Sequence, residues 1–306
     1  MSLERFSSEC GPLAVLEVFD LSINWYPGHM RKTERQIAKD LSLVDAVIEI
    51  LDARIPKSSK NPDMERITRA KPRVLLFNKI DLADRAVSEK WAEHYRKQGY
   101  KCVFCDCKGG KGVDKVMPAV RQLLADKINS RIAKGMGGKA LRILVAGVPN
   151  VGKSSFINRM VGNTKARVED RPGVTRENRW LTLSDGTELM DTPGILWPKL
   201  DEEGAPKLAF TGAITDRITD TEELAVKLLD FITAEYPECL AERYGVEPSD
   251  GYSTMESIGK KRGCMQKGGE INTLRAAELI LDDFRAGRIG KITLDTLAER
   301  SESNEK

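Results

Sequence analysis

The run Gly147-Val148-Pro149-Asn150-Val151-Gly152-Lys153-Ser154 constrains this chain more than any other stretch, because an apolar, β-branched segment precedes it and a helical pattern follows it. Leu141 to Ala146 reads as a buried strand, and Ser155 to Val161 opens a helix. In that setting the glycines let backbone N–H groups approach phosphate oxygens, Lys153 neutralises their charge, and the Ser154 hydroxyl suits a magnesium ion. A strand feeding a helix through such a loop belongs in a parallel α/β sheet.

A second loop stands earlier in the chain. Asn78-Lys79-Ile80-Asp81 follows the short apolar run Arg73 to Phe77, which directs it into the crevice beyond the strand ends. A carboxylate at Asp81 accepts the N1 and exocyclic N2 hydrogens of guanine, which adenine does not present, so the pair of loops selects GTP over ATP. Asp191-Thr192-Pro193-Gly194 ends another strand, where an aspartate orders a magnesium shell and the glycine N–H meets a γ-phosphate. Between them, Arg171-Pro172-Gly173-Val174-Thr175 offers Thr175 as a second magnesium hydroxyl, with Thr164 and Thr182 as rivals. An ordinary GTPase has its phosphate loop first. Here the guanine-reading loop precedes it, so the chain is circularly permuted, which preserves a fold while moving its ends.

The pattern elsewhere alternates strands with helices. Helices are expected over Thr33 to Leu43, residues 85 to 98 and Val113 to Ile132, and strands over Val44 to Leu51, Tyr100 to Cys105, Trp180 to Leu183 and Glu188 to Met190, the last two around the Asp185-Gly186 turn. Lys134-Gly135-Met136-Gly137-Gly138-Lys139 reads as a flexible seam. From Thr211 only helices are expected: Glu222 to Tyr236, Pro237 to Tyr244, Thr254 to Ile258, Asn272 to Ala286 and Leu294 to Arg300. The expected division is a 1–22 extension, a nucleotide domain over 23–210 and a helical domain over 211–306.

Composition narrows the function classes. No apolar run approaches the roughly 20 residues of a membrane span, and the first residues lack the cationic start and apolar stretch of a secretory signal. Net charge is +3, yet it divides into +9 up to Phe210 and −6 beyond. Any nucleic-acid contact by the tail therefore rests on local patches, of which Lys260-Lys261-Arg262 with Lys267, and Arg285, Arg288 and Lys291, are the compact ones. Cys102, Cys105 and Cys107 cluster, but neither His29 nor His94 stands at zinc-ligand spacing, so reduced structural thiols are the expectation.

Taken together, the motif order resembles the circularly permuted GTPases, and specifically the ribosome biogenesis GTPase A family. Trp25-Tyr26-Pro27-Gly28-His29-Met30, Asp52-Ala53-Arg54-Ile55-Pro56 and Ile258-Gly259-Lys260-Lys261-Arg262-Gly263 are similar to that family's motifs, and the likeness runs from residue 23 to about 297. It implies a P-loop GTPase fold with a smaller all-helical C-terminal domain. GTP would be bound by Asn78, Lys79, Asp81, Asp106, Cys107, Asn150, Val151, Gly152, Lys153, Ser154, Ser155 and Gly194. The family places its last guanine-contact loop at Asp106-Cys107-Lys108, where Cys107 is expected to present its backbone N–H to the purine oxygen.

The resemblance also bears on catalysis. Ile195 follows Gly194, where many small GTPases carry a glutamine that orients the attacking water, and an isoleucine cannot. The family implies His29 for that task, exposed by a Pro27-Gly28 turn, beside Lys153 as the second catalytic group. Ser154, Thr175 and Asp191 would hold Mg2+, and Asn150, as in potassium-activated GTPases, would offer an oxygen to K+. The helical domain, through Lys260, Lys261, Arg262 and Lys267, would contact RNA on the large ribosomal subunit. A monomeric, cytoplasmic assembly GTPase is expected, gripping the immature subunit with GTP and leaving after hydrolysis. A signalling switch acting on a protein partner is the alternative. A metabolic kinase is disfavoured, because both switch segments are present and no acceptor-binding segment is evident. The permutation sets Asp191 to Gly194 just before the tail, as wiring between GTP state and ribosome grip.

Overall fold

A computed structural model describes residues 28–162, 179–198, 200–214 and 220–297. The 1–22 extension, Trp25 to Pro27, Thr164 and the segment holding Thr175 lie outside the described residues.

Six strands form one sheet: β1 (Ala46–Asp52), β2 (Arg73–Asn78), β3 (Lys101–Phe104), β4 (Arg142–Ala146), β5 (Arg179–Thr182) and β6 (Glu188–Asp191), in spatial order β3-β2-β1-β4-β6-β5. All neighbours are parallel except β5 and β6, which pair antiparallel across the Asp185-Gly186 turn. Helices on both faces bury β1 along its whole length, which is why it reads as a near-continuous apolar run. Of its two charges, Asp52 closes the strand and Glu49 sits in the core against Arg73 Nη1 at 2.7 Å, where burial pushes its carboxyl up. Strand order reverses between β1 and β4, so the crevice beyond their carboxyl ends is where an α/β sheet binds ligands.

Helices α1 (Gly28–Asp40), α2 (Pro62–Thr68), α3 (Arg85–Lys97), α4 (Val116–Leu123), α5 (Ala125–Ala133) and α6 (Lys153–Gly162) join the strands. The helix expected over Val113 to Ile132 is interrupted: a 3-10 turn over Val113–Lys115 precedes α4, and Leu124, at ψ 12°, separates α4 from α5. Leu124 is buried against the core while α5 turns outward, and Arg131 of α5 anchors to Asp45 at 2.7 Å.

The helical part comprises α7 (Gly204–Phe210), α8 (Thr221–Glu235), α9 (Pro237–Tyr244), α10 (Gly251–Lys261) and α11 (Thr273–Arg285). Helix α7 was not expected from the sequence, and it packs on α8 and α11 although it precedes residue 211. Its Pro206 falls in the first turn, where a missing N–H costs nothing. α10 also extends beyond the expected Thr254 to Ile258, started by the Asp250 cap on Ser253 N.

The expected helix over Leu294 to Arg300 is not formed over its described part, residues 294–297. Its backbone is committed elsewhere: Leu294 N donates to Arg54 O at 2.7 Å, and Ile292 N to Leu82 O. The segment instead returns to the nucleotide sheet, where the fully buried Asp295 accepts from Lys57 N, Ser58 N and Ser58 Oγ at 2.8 Å each and from Lys207 Nζ at 3.1 Å. Among the described residues no helix is long and apolar enough to cross a membrane.

Candidate nucleotide-binding site

The loops that carry the motifs meet at the carboxyl ends of β1, β2, β4 and β6. After β4, the phosphate loop turns back at Gly147 and enters α6 at Lys153, leaving its N–H groups at a helix N-terminus. Two glycines are obligatory. At Gly152, with φ +105°, an added Cβ would lie 2.2 Å from Asn78 Nδ2, and at Gly194 it would lie 2.7 Å from Pro149 Cα. The second contact shows that the aspartate switch passes directly over the phosphate loop.

Lys153 is buried, and Nζ donates to the Gly147 and Val148 carbonyls at 3.0 and 2.9 Å. Desolvation pushes its ammonium down to about 8, against the opposing pull of Asp191. Asp191 closes β6 opposite Val145, and Thr192 Oγ1 donates to Val145 O at 2.8 Å, fixing the strand end. Ser154 is exposed in the first turn of α6. A polyphosphate fits this cradle of backbone donors and buried ammonium, and the hard oxygens of Ser154 and Asp191 fit magnesium. When bound, the metal neutralises charge on the phosphates.

The guanine loop is tied to the phosphate loop. Asn78 Nδ2 donates to Val151 O at 2.7 Å, and Asn78 Oδ1 accepts from Cys107 N at 2.9 Å. The Cys107 N–H, expected to face the purine, is thus given to Asn78, because the buried amide oxygen needs a donor. Lys79 Nζ donates to Asn150 O at 2.8 Å and pairs with Asp52 at 2.9 Å. Asp81 is exposed at the loop's end, and with Asp106 it lines a cavity of about 1210 Å³ beside β3. Asp106 Oδ1 caps Gly109 N at 2.8 Å, and Cys107 and Ser155 line a smaller cavity of about 390 Å³. The Cys105 and Cys107 thiols lie 3.3 Å apart, and their mutual hydrogen bond together with burial pushes Cys105 up. Among the described residues no group of three or more His, Cys, Asp or Glu is placed to hold a metal ion.

Other expected residues fall less simply. His29 stands in the first turn of α1, which Gly28 starts; Pro27, the other half of the expected turn, lies outside the described residues. Ile195 is only 3% exposed, and its carbonyl accepts from Asn61 Nδ2 at 2.9 Å, so that position points into the core. Asn150 is exposed, and its Nδ2 donates to Gly212 O at 2.6 Å. In the tail, Lys260, Lys261, Arg262 and Lys267 are exposed, although Lys261 and Arg262 also donate to the Gly245 and Arg243 carbonyls. The second patch is largely spent internally: Arg285 donates to the Ala209 and Phe210 carbonyls and Arg288 to Asp283. Sequence reading missed Asn61, Gly212 and Asp295 as organising groups. Asn61-Pro62 was readable as a helix cap, but its reach to Ile195 was not.

A guanine-reading loop, a phosphate loop and an aspartate switch assembled on one sheet, in permuted chain order, define a circularly permuted P-loop GTPase. A family model described as "50S ribosome-binding GTPase" matches residues 142–246. Ribosome biogenesis GTPase A of Priestia megaterium is 42% identical over 91% of this chain and 98% of its own length. That of Thermotoga maritima is 34% identical over 89% and 94%. The crystal structure of GNP-bound YlqF from T. maritima aligns with a TM-score of 0.60 at 28% identity, covering 87% of this chain and 98% of that one. The chain belongs to the ribosome biogenesis GTPase A family, and its activity is GTP hydrolysis.

Proposed function

We propose that the protein binds the immature large ribosomal subunit in its GTP form, hydrolyses GTP during a late step of assembly, and then leaves. The observation that carries this is the path of the switch. Gly194 crosses the phosphate loop, and only nine residues of sequence separate it from α7, which packs on the tail helices. The names of the relatives support a ribosomal partner over a signalling one. The described contacts favour assigning α7 to the ribosome-binding part, which shifts the division proposed at 210/211 toward residue 200. Purified large subunits are expected to raise GTP turnover while small subunits do not; equal response to both would refute the assignment.

Within this reading Lys153 stabilises the charge developing on the phosphates, Ser154, Thr175 and Asp191 hold Mg2+, and Asp81 reads the base. Because Ile195 offers no group to water, His29 is assigned to orient it. Asn150 supplies an oxygen to K+, a role its amide-to-Gly212 bond permits, since that bond uses the nitrogen. Turnover in potassium chloride is expected to exceed that in sodium chloride, and equal rates would remove the cation from the account. Lys260, Lys261, Arg262 and Lys267 contact ribosomal RNA, and the protein acts as a monomer in the cytoplasm.

A further inference from the structure

We infer that Asp52 is a positioning residue that holds both nucleotide loops in their binding geometry and connects them, through Arg54, to the helical tail. This rests on the GTPase activity and is independent of the ribosomal partner.

The starting observation is backbone strain. Among the described residues, Lys79 at φ 60° and Asn150 at φ 54° are the non-glycine residues in the left-handed region. One lies in the guanine loop and the other in the phosphate loop, and they are bonded to each other, Lys79 Nζ to Asn150 O. Such conformations persist only where surrounding contacts impose them. The same ammonium pairs with Asp52 at 2.9 Å, so the carboxylate fixes the group that joins the two strained residues.

Asp52 ends β1, between the strands that launch the two loops, and its side chain is 3% exposed. Burial alone would raise its carboxyl, but Arg54 and Lys79 outweigh that and hold it well below the usual carboxylate range. Arg54 binds it in a fork, Nη2 to Oδ2 at 2.8 Å and Nε to Oδ1 at 3.0 Å. The fork leaves Nη1 facing the tail. It reaches the Phe284 and Arg285 carbonyls at 3.5 Å, and the guanidinium lies over the Phe284 ring, 5.2 Å from its centroid. Arg285 in turn donates to the carbonyls of Ala209 and Phe210, beside the Gly212 carbonyl that Asn150 holds. The contacts form a closed circuit from the nucleotide loops through Asp52 and Arg54 to the end of α11 and back.

Three variants of the full chain separate this role from a merely structural one. Asp52→Asn is expected to raise KM for GTP by about tenfold while kcat stays nearly constant, and Lys79→Met to raise KM at least as far, because each removes a charge-assisted bond that orders the loops before the chemical step. Arg54→Met, which keeps the stem and leaves Asp52 paired with Lys79, is expected to change KM far less. Its effect should appear in amide hydrogen exchange instead. GDP should slow exchange at Ala286 to Arg288 in the parent protein, and Arg54→Met should abolish that slowing while keeping GDP protection of the phosphate loop. If Asp52→Asn fails to fold, Lys79→Met and the parent exchange pattern carry the test. An unaltered KM in Lys79→Met, protection by GDP that never reaches Ala286 to Arg288, or Arg54→Met transmitting it unchanged would each overturn the proposal.

Discussion

Burial of Lys153 makes nucleotide affinity a function of pH in a window where few proteins titrate. Desolvation holds its ammonium down to about 8, with Asp191 opposing the shift, while a bound polyphosphate requires the charged form. Binding therefore takes up a proton once pH exceeds about 8. Affinity should be level near pH 7 and weaker by about tenfold near pH 9, which is about 1.4 kcal/mol. The stability of the nucleotide-free protein has the opposite sign. There the unfolded chain binds the proton more tightly than the folded one, so stability rises with pH across the same window. The assay is titration calorimetry with GDP in buffers of different ionisation enthalpy, which counts the protons directly. Lys153→Arg, whose guanidinium does not titrate, serves as the control for ionisation of guanine itself. A dissociation constant that stays flat to about pH 9, or one that rises identically in Lys153→Arg, would refute the reasoning.

Other outcomes follow from the same contacts. Gly194→Ala places a Cβ 2.7 Å from Pro149 Cα and should cut turnover by about a hundredfold, with a smaller change in GDP affinity measured by fluorescence titration. His29→Ala should lower kcat, followed by phosphate release, much more than it weakens GTP binding; unchanged turnover with saturating large subunits would remove His29 from the chemistry. Asp295→Ala strands two backbone N–H groups and the Ser58 hydroxyl and leaves Lys207 with Glu203 as its remaining carboxylate, and urea denaturation should show a loss of about 3 kcal/mol.

The sheet was legible because each central strand is buried on both faces and so reads as an apolar run. The phosphate and guanine loops were legible because their chemistry demands particular residues beside those strands. What escaped was whatever depends on distant partners. Leu294 to Leu297 has a helical composition, yet its N–H and carboxylate groups are taken by Arg54, Lys57 and Ser58, more than two hundred residues earlier. Helix α7 hid behind Gly204 and Pro206, which read as a linker until the tail supplied a surface to pack on. Arg285 and Arg288 looked like a basic patch, because a sequence does not show which carbonyls and carboxylates consume a guanidinium. Cys107 was assigned to the base for a similar reason: the competing acceptor, Asn78 Oδ1, lies in another loop.

Co-sedimentation reports whether GTP occupancy governs the protein's grip on the large ribosomal subunit. The full chain is mixed with immature large subunits in the presence of a non-hydrolysable GTP analogue or GDP, and the bound fraction is measured across a salt series. Strong pelleting is expected with the analogue and weak pelleting with GDP, with a salt slope that flattens on charge reversal of Lys260 and Lys261. Equal pelleting with both nucleotides, or none with either, would contradict a GTP-governed grip.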